Sequence, residues 1–414
     1  MKKFLWVLTF ALCIGCSSDS DTDAVLNDQI EETPDVENAS GTIVPCEGGF
    51  AGIYPCSGYD LVAHISLDTF SAEEANDIWG WTDLDTGKEY AVMGLDNGTA
   101  FIDITDGINP IYLGKLPTAT GASSWRDVKV YGTYAYVVSE ADDHGVQVFD
   151  LRRLRDVDNL PQSFSADGHY TDLGNAHNIV INEESGFAYP VGTDRDDQFN
   201  GGVHFLNLQN PVEPVLEGGW GLNGYTHDAH VITYHGPDSD YIGSEIFVGA
   251  NEDQVVVVDI SDKNEPVALA TLPYPNIGYT HQGWFTEDHR FFILGDELDE
   301  VRQGFQTRTL IFDMESLENP ALYHTYLGPT NAIDHNGYVL GNEFFLANYT
   351  AGVRVLDITD IASKIVTEKA FFDTYPSSDN TQFAGVWSVY PYFESGKIII
   401  SDINNGFFII QKTN

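Results

Sequence analysis

The chain has 414 residues, 43% of them hydrophobic and 13% aromatic, so it carries enough apolar material for a core and is not a disordered polymer. Acidic residues outnumber basic ones 63 to 19, a formal net charge of −44. A surface of that sign repels nucleic acid and attracts cations or cationic partners. It also suits salty surroundings, where a Debye length of ~8–10 Å or less screens self-repulsion.

The first fifteen residues read as an export signal: Met1-Lys2-Lys3 is a charged start and Phe4 to Leu12 an apolar run too short to span a membrane comfortably. The signal runs into Leu12-Cys13-Ile14-Gly15-Cys16, which resembles a bacterial lipobox, with Cys13 standing where that pattern prefers Leu. Cys16 is the expected lipidated residue. Residues 16–44 are polar and acidic, beginning Ser17-Ser18-Asp19-Ser20-Asp21, and predict a flexible tether. An acidic run directly after the lipidated cysteine resembles surface-export signals of some Gram-negative phyla. The expected location is therefore the outer membrane, facing outward, with membrane contact only through the lipid. No later segment has membrane length.

Residues 45–414 are expected to form one domain. Cys46 and Cys56 are its only cysteines. In an exported protein an isolated pair predicts a disulfide, a metal pair being the poorer reading. A β-hairpin unit then recurs seven times, each an apolar strand, a Gly- or acid-rich turn, and a second apolar strand ending in Asp or a related polar residue. The clearest copy runs from Glu89 to Ile104. The marker residues Asp103, Asp150, Asn207, Asp259, Asp313, Asp357 and Gln411 lie 44 to 57 residues apart, the spacing of propeller blades. Short strands before each hairpin, such as Trp125 to Val130 and His281 to Phe285, and further strands after several of them complete four strands per unit. The last copy lacks an outer strand, while Asp60 to Leu67 is a strand without a hairpin. The predicted fold is therefore all-β, a seven-bladed β-propeller whose last blade is closed by that early strand, leaving no open sheet edge.

Repeats such as Val256-Val257-Val258-Asp259-Ile260-Ser261-Asp262 and Val355-Leu356-Asp357-Ile358-Thr359-Asp360 resemble LVIVD repeats. The ordered motifs Gly52-Ile53-Tyr54-Pro55-Cys56, Asp77 to Asp83, Ser139 to Gly145, Ala176-His177-Asn178, His227-Asp228-Ala229-His230, Tyr279 to Trp284 and Asp334-His335-Asn336 are similar to the choice-of-anchor B family across roughly residues 45 to 412. That resemblance implies a secreted propeller whose envelope attachment varies between members. It implies no reaction.

In a propeller the loop before each inner strand and the loop after each second strand emerge on one face. This brings together Trp125, His177, His227, His281, His335 and Trp387 with Asp96, Glu140, Asp194, Glu252, Glu297 and Asp402, the series broken by Tyr349. Imidazoles beside carboxylates can hold zinc or another divalent ion, with His177, His227, His281, His335, Asp296 and Glu297 as the candidate ligands, or act as acid and base. The competing reading is that these side chains bond turn backbone, as repeated structural positions often do. The acidic turns at Asp142-Asp143-His144, Asp194 to Asp197 and Asp296 to Glu300 offer oxygens suited to calcium, but none has EF-hand spacing. His227 and His230, three apart in a strand, should point to opposite faces, which leaves His230 to pack. No nucleophile elbow, P-loop, dinucleotide fingerprint or zinc-protease helix is present. The expected function is non-catalytic binding of an extracellular protein, peptide or glycan. A metal-dependent hydrolase using the His and carboxylate groups is the alternative, and a purely structural module a third reading.

Overall fold

The computed structural model describes residues 41–413, so Cys16 and nearly all of the predicted signal and tether lie outside the described residues. Seven antiparallel sheets form a ring, and their inner strands are Ala75–Asp83, Arg126–Tyr131, Asn178–Asn182, Asp228–Thr233, Thr280–Phe285, Gly337–Leu340 and Val386–Tyr390, numbered here as blades 1 to 7. Each inner strand packs beside the next, and that of blade 7 packs beside that of blade 1.

The burial gradient within a blade follows from its place in the ring. The third strand of blade 4, Val255–Asp259, reads Val-Val-Val-Val-Asp with every valine buried, because both of its faces meet neighbouring blades. The outer strand, Val267–Leu272, is mostly exposed or half-buried. Alternation sends successive side chains to opposite neighbours. In blade 1, Tyr90 and Val92 belong to the apolar cluster shared with blade 2, while Ala91, Met93 and Leu95 belong to the one shared with blade 7. Every interface between neighbouring blades has such a cluster, so the core is a ring of seven apolar seams.

Closure is as predicted. Tyr59–Ile65 pairs antiparallel with Gly406–Lys412, with Leu61 opposite Ile410 and His64 opposite Phe408, and becomes the outer strand of blade 7. The Cys46–Cys56 disulfide is formed. Its loop also extends a second blade. Tyr54–Ser57 adds to Thr367–Phe372, the outer strand of blade 6, so the start of the described chain clamps blades 6 and 7 together.

The longest predicted spacing, from Asp150 to Asn207, also has a structural cause. It contains a short outer strand for blade 2, Gly168–Tyr170, and a segment, Gln162–Ser163, that pairs parallel with the edge of blade 1 at Gly114 and Lys115. Gly114 has φ of +148°, and a Cβ there would stand 2.0 Å from the Gln162 carbonyl oxygen. Only glycine permits that approach.

Candidate functional site

The four predicted histidines converge. His177, His227, His281 and His335 lie at or just before the inner strands of blades 3, 4, 5 and 6, and they form a curved file around one mouth of the central channel. Successive ring centroids are 4.0, 4.4 and 4.4 Å apart, and Trp387 of blade 7 continues the file 4.9 Å from His335. All four imidazoles are buried, and Trp125 and Trp387 are half-buried.

The ring nitrogens are used unequally. His177 Nδ1 lies 2.5 Å from Glu140 Oε1, His335 Nδ1 donates to the Trp387 carbonyl over 2.6 Å, and His227 Nδ1 faces the His281 carbonyl at 3.3 Å. These bonds turn Nε2 of each ring toward the remaining space. His281 Nδ1 is buried with no hydrogen-bond partner among the described residues. Nε2 of His281 lies 3.7 Å from Glu297 Oε2, and Nε2 of His335 lies 3.8 Å from Glu297 Oε1. Glu297 also accepts a 2.7 Å hydrogen bond from the Tyr349 hydroxyl.

Burial sets the protonation of this group. It holds His227 and His281 well below the usual histidine range, with neighbouring imidazoles adding to the effect, and takes His335 down to about 3. Burial likewise pushes Glu297 up to about 7, opposed by the Tyr349 hydroxyl. His177 goes the other way: burial disfavours its charged form, but the adjacent Glu140 carboxylate outweighs burial and raises it.

The carboxylate series does not converge as a set. Glu252 is held in a two-pronged pair with Arg195, at 2.8 and 2.9 Å, and Asp194 is exposed. Asp96 accepts the Glu73 amide at 3.0 Å, and Asp402 accepts the Thr374 hydroxyl and the Asn404 and Asn405 amides, so both secure turns. Asp296, a predicted metal ligand, is turned away from the histidines. Its carboxylate is taken up by the Tyr274 hydroxyl, the Gly278 and Tyr279 amides, and Arg308. Among the described residues, the one group of three His, Cys, Asp or Glu side chains that could share an ion is His281, Glu297 and His335. The acidic turns proposed for calcium form no such group. His144 of the first is buried against Arg126, and Asp197 of the second is bonded to Thr193 and His204. His230 packs, stacked on Trp284 with centroids 3.8 Å apart.

Two polar clusters escaped the sequence reading. Inside the channel, Lys129 Nζ contacts Asp127 at 2.6 Å and Asp77 at 2.9 Å and lies 4.8 Å from the centre of the Trp79 ring. Asp228, at the start of the inner strand of blade 4, is raised by burial to about 7, opposed by Lys129. The available signal was Asp127-Val128-Lys129-Val130, charged at alternate positions of a strand whose other positions are apolar. Behind Glu297 and His335, buried Asp299, Glu300 and Asp334 gather with Asp296 around Arg308. Asp296, Asp299 and Glu300 were visible as an acidic turn, but not their gathering on Arg308 and Asp334, which stand farther along the chain. Beside His177, a cavity of about 220 Å³ is lined by Glu140, Asp194, Arg195 and Tyr225.

No family model and no curated protein sequence matches the chain. Solved structures do. A Bacteroides fragilis protein described as a "putative 6-phosphogluconolactonase" superposes with TM-score 0.50 at 13% identity, over 80% of this chain and 88% of its own. A Lactobacillus plantarum protein gives TM-score 0.52 at 13% identity, over 79% of this chain and 88% of its own. At such identity the likeness establishes the shared propeller fold alone.

Proposed function

We propose that this protein is an exported propeller, anchored to the outer membrane through Cys16, that binds an extracellular protein, peptide or glycan at the histidine-lined mouth without transforming it. The observation carrying this reading is the convergence of His177, His227, His281 and His335 on one face, beside half-buried Trp125 and Trp387 and the cavity at Glu140 and Arg195. Concave polar sites flanked by aromatic rings suit such ligands. The similarity of the repeats to the choice-of-anchor B family accords with a secreted propeller of this kind.

The test is binding to glycan and peptide arrays by the wild type, Trp125→Ala, Trp387→Ala and, as a control on the opposite face, Leu84→Ala. Binding that falls at least tenfold in the tryptophan variants and persists in the control is expected. Equal binding by all four proteins would refute the mouth as the site. Anchoring is tested separately: metabolic labelling with a radioactive fatty acid should mark the wild type and not Cys16→Ser.

A hydrolytic reading is favoured by one feature, the 2.5 Å contact of His177 with Glu140, since a paired imidazole and carboxylate is an acid–base unit. Hydrolysis of esters, phosphoesters or lactones by the purified protein, lost in Glu140→Gln, would establish that reading in place of the first.

A further inference from the structure

We infer that His281, Glu297 and His335 bind one divalent transition metal ion, so that the mouth is a metal centre. This inference rests on the reading of the mouth as the binding site and specifies what it holds.

His281 is 2% exposed, its Nδ1 has no hydrogen-bond partner among the described residues, and the Glu297 carboxylate facing its Nε2 is 3.7 Å away. That distance exceeds a hydrogen bond. A buried imidazole nitrogen left without a bond is costly, and His335 Nε2 faces the same carboxylate at 3.8 Å. Both gaps close if a cation lies between the three side chains.

The candidate ligand atoms all lie within 4.8 Å of one another. Two ligands about 2.1 Å from a tetrahedral ion stand about 3.4 Å apart, so the two separations between histidine and Glu297, 3.7 and 3.8 Å, need to contract by a few tenths of an ångström and the widest pair by up to about 1.4 Å.

A metal-bound imidazole usually gives its other N–H to a carbonyl or carboxylate, which fixes the ring and frees the lone pair. His335 does so through Trp387, and the Tyr349 hydroxyl orients Glu297. Asp296 and Asp334 hold the backbone beneath: Asp334 accepts the Asp296 amide at 3.2 Å and so ties the segment bearing His335 to the one bearing Glu297.

The donor set selects the ion. Two imidazoles and one carboxylate suit zinc, iron, nickel or copper, whereas calcium takes six to eight oxygens. Three protein ligands leave a position open to a further donor, and His227 stands next to His281. The chain's large negative charge draws cations toward such a site.

The experiment uses the whole chain, stripped with chelator, dialysed and titrated with Co²⁺. One equivalent should bind, with visible ligand-field absorption of a four- or five-coordinate ion, and Zn²⁺ should displace it. Glu297→Gln and His335→Ala should weaken binding by at least tenfold, while Leu84→Ala binds like the wild type. Should a variant fail to fold, X-ray absorption on the wild-type cobalt protein decides: imidazole and oxygen donors in the first shell support the site, and an all-oxygen shell overturns it. Absence of stoichiometric cobalt binding, or undiminished binding by folded Glu297→Gln and His335→Ala, also overturns it. Array binding that still depends on Trp125 and Trp387 without any metal would reject the metal centre and leave the mouth as a binding site. A metal site with no mouth-dependent array binding would reject the macromolecular ligand instead.

Discussion

Tyr349 reaches from blade 6 to Glu297 of blade 5, donating its hydroxyl to Oε1 over 2.7 Å from a backbone with φ of +35°. A bulky residue in that region is strained, and such strain persists only where surrounding structure holds it. Here the turn from Asn348 to Gly352 and the pairing of Tyr349 with Val386 do so. The residue that interrupts the carboxylate series is therefore the one that orients the carboxylate facing both His281 and His335.

Tyr349→Phe removes this donor and leaves the ring packed against His335 and Phe383. Because the hydrogen bond favours the ionised carboxylate, its loss should raise Glu297 further above about 7 in metal-free protein, by roughly one to two pH units. The pH dependence of the carboxyl band in infrared difference spectra, with Glu297→Gln as the reference, measures this. An unchanged titration would show that the contact is electrostatically idle.

Lys129 neutralises part of a buried carboxylate pair inside the channel. Replacing it with Met leaves Asp77 and Asp127 uncompensated and should cost about 3–5 kcal/mol. Adding Asp127→Asn should return part of that loss. Urea unfolding of the single and double variants gives the coupling, and additive costs would argue against the pairing.

Asp373, in the loop between blades 6 and 7, is pushed up to about 7, chiefly by burial. The unfolded chain releases that proton near the usual aspartate value, so between about pH 4 and 7 the folded state holds the extra proton and stability from this group falls as pH rises. Above about 7 its contribution is flat. Asp373→Asn should remove that fall and raise the melting temperature at pH 8 more than at pH 5. Equal shifts at the two pH values would contradict the assignment.

The Cys46–Cys56 bridge, ten residues apart in sequence, ties the segment that extends blade 6 to the strand that closes blade 7. Replacing both cysteines with Ala should destabilise the ring by roughly 2–3 kcal/mol. Hydrogen exchange should report the loss first at Tyr54–Ser57 and Tyr59–Ile65. Uniform loss of protection across all blades would mean that closure is not the weak point.

The repeat was readable because blades are local: each needs an apolar second strand, a tight turn and an apolar third strand, and Glu89 to Ile104 spells that out in one stretch. The closing strand could be read for the same reason, as a strand without a partner beside a blade lacking one. Propeller geometry also brought the four histidines to one face, since equivalent positions in successive blades are neighbours. Which nitrogen each ring commits, and which carboxylate meets them, depended on single side chains from different blades. Asp296 and Glu297 are adjacent in sequence, yet the turn after the second strand of blade 5 sends the first to Arg308 and the second to His281 and His335. Sequence alone determined the ring, its seven-fold order and its closure, because these follow from hydrophobic periodicity and unpaired strand edges. Tertiary structure decided the site, because a distance of a few ångströms between Glu297 and two imidazoles depends on how two neighbouring blades pack, and no local pattern encodes it.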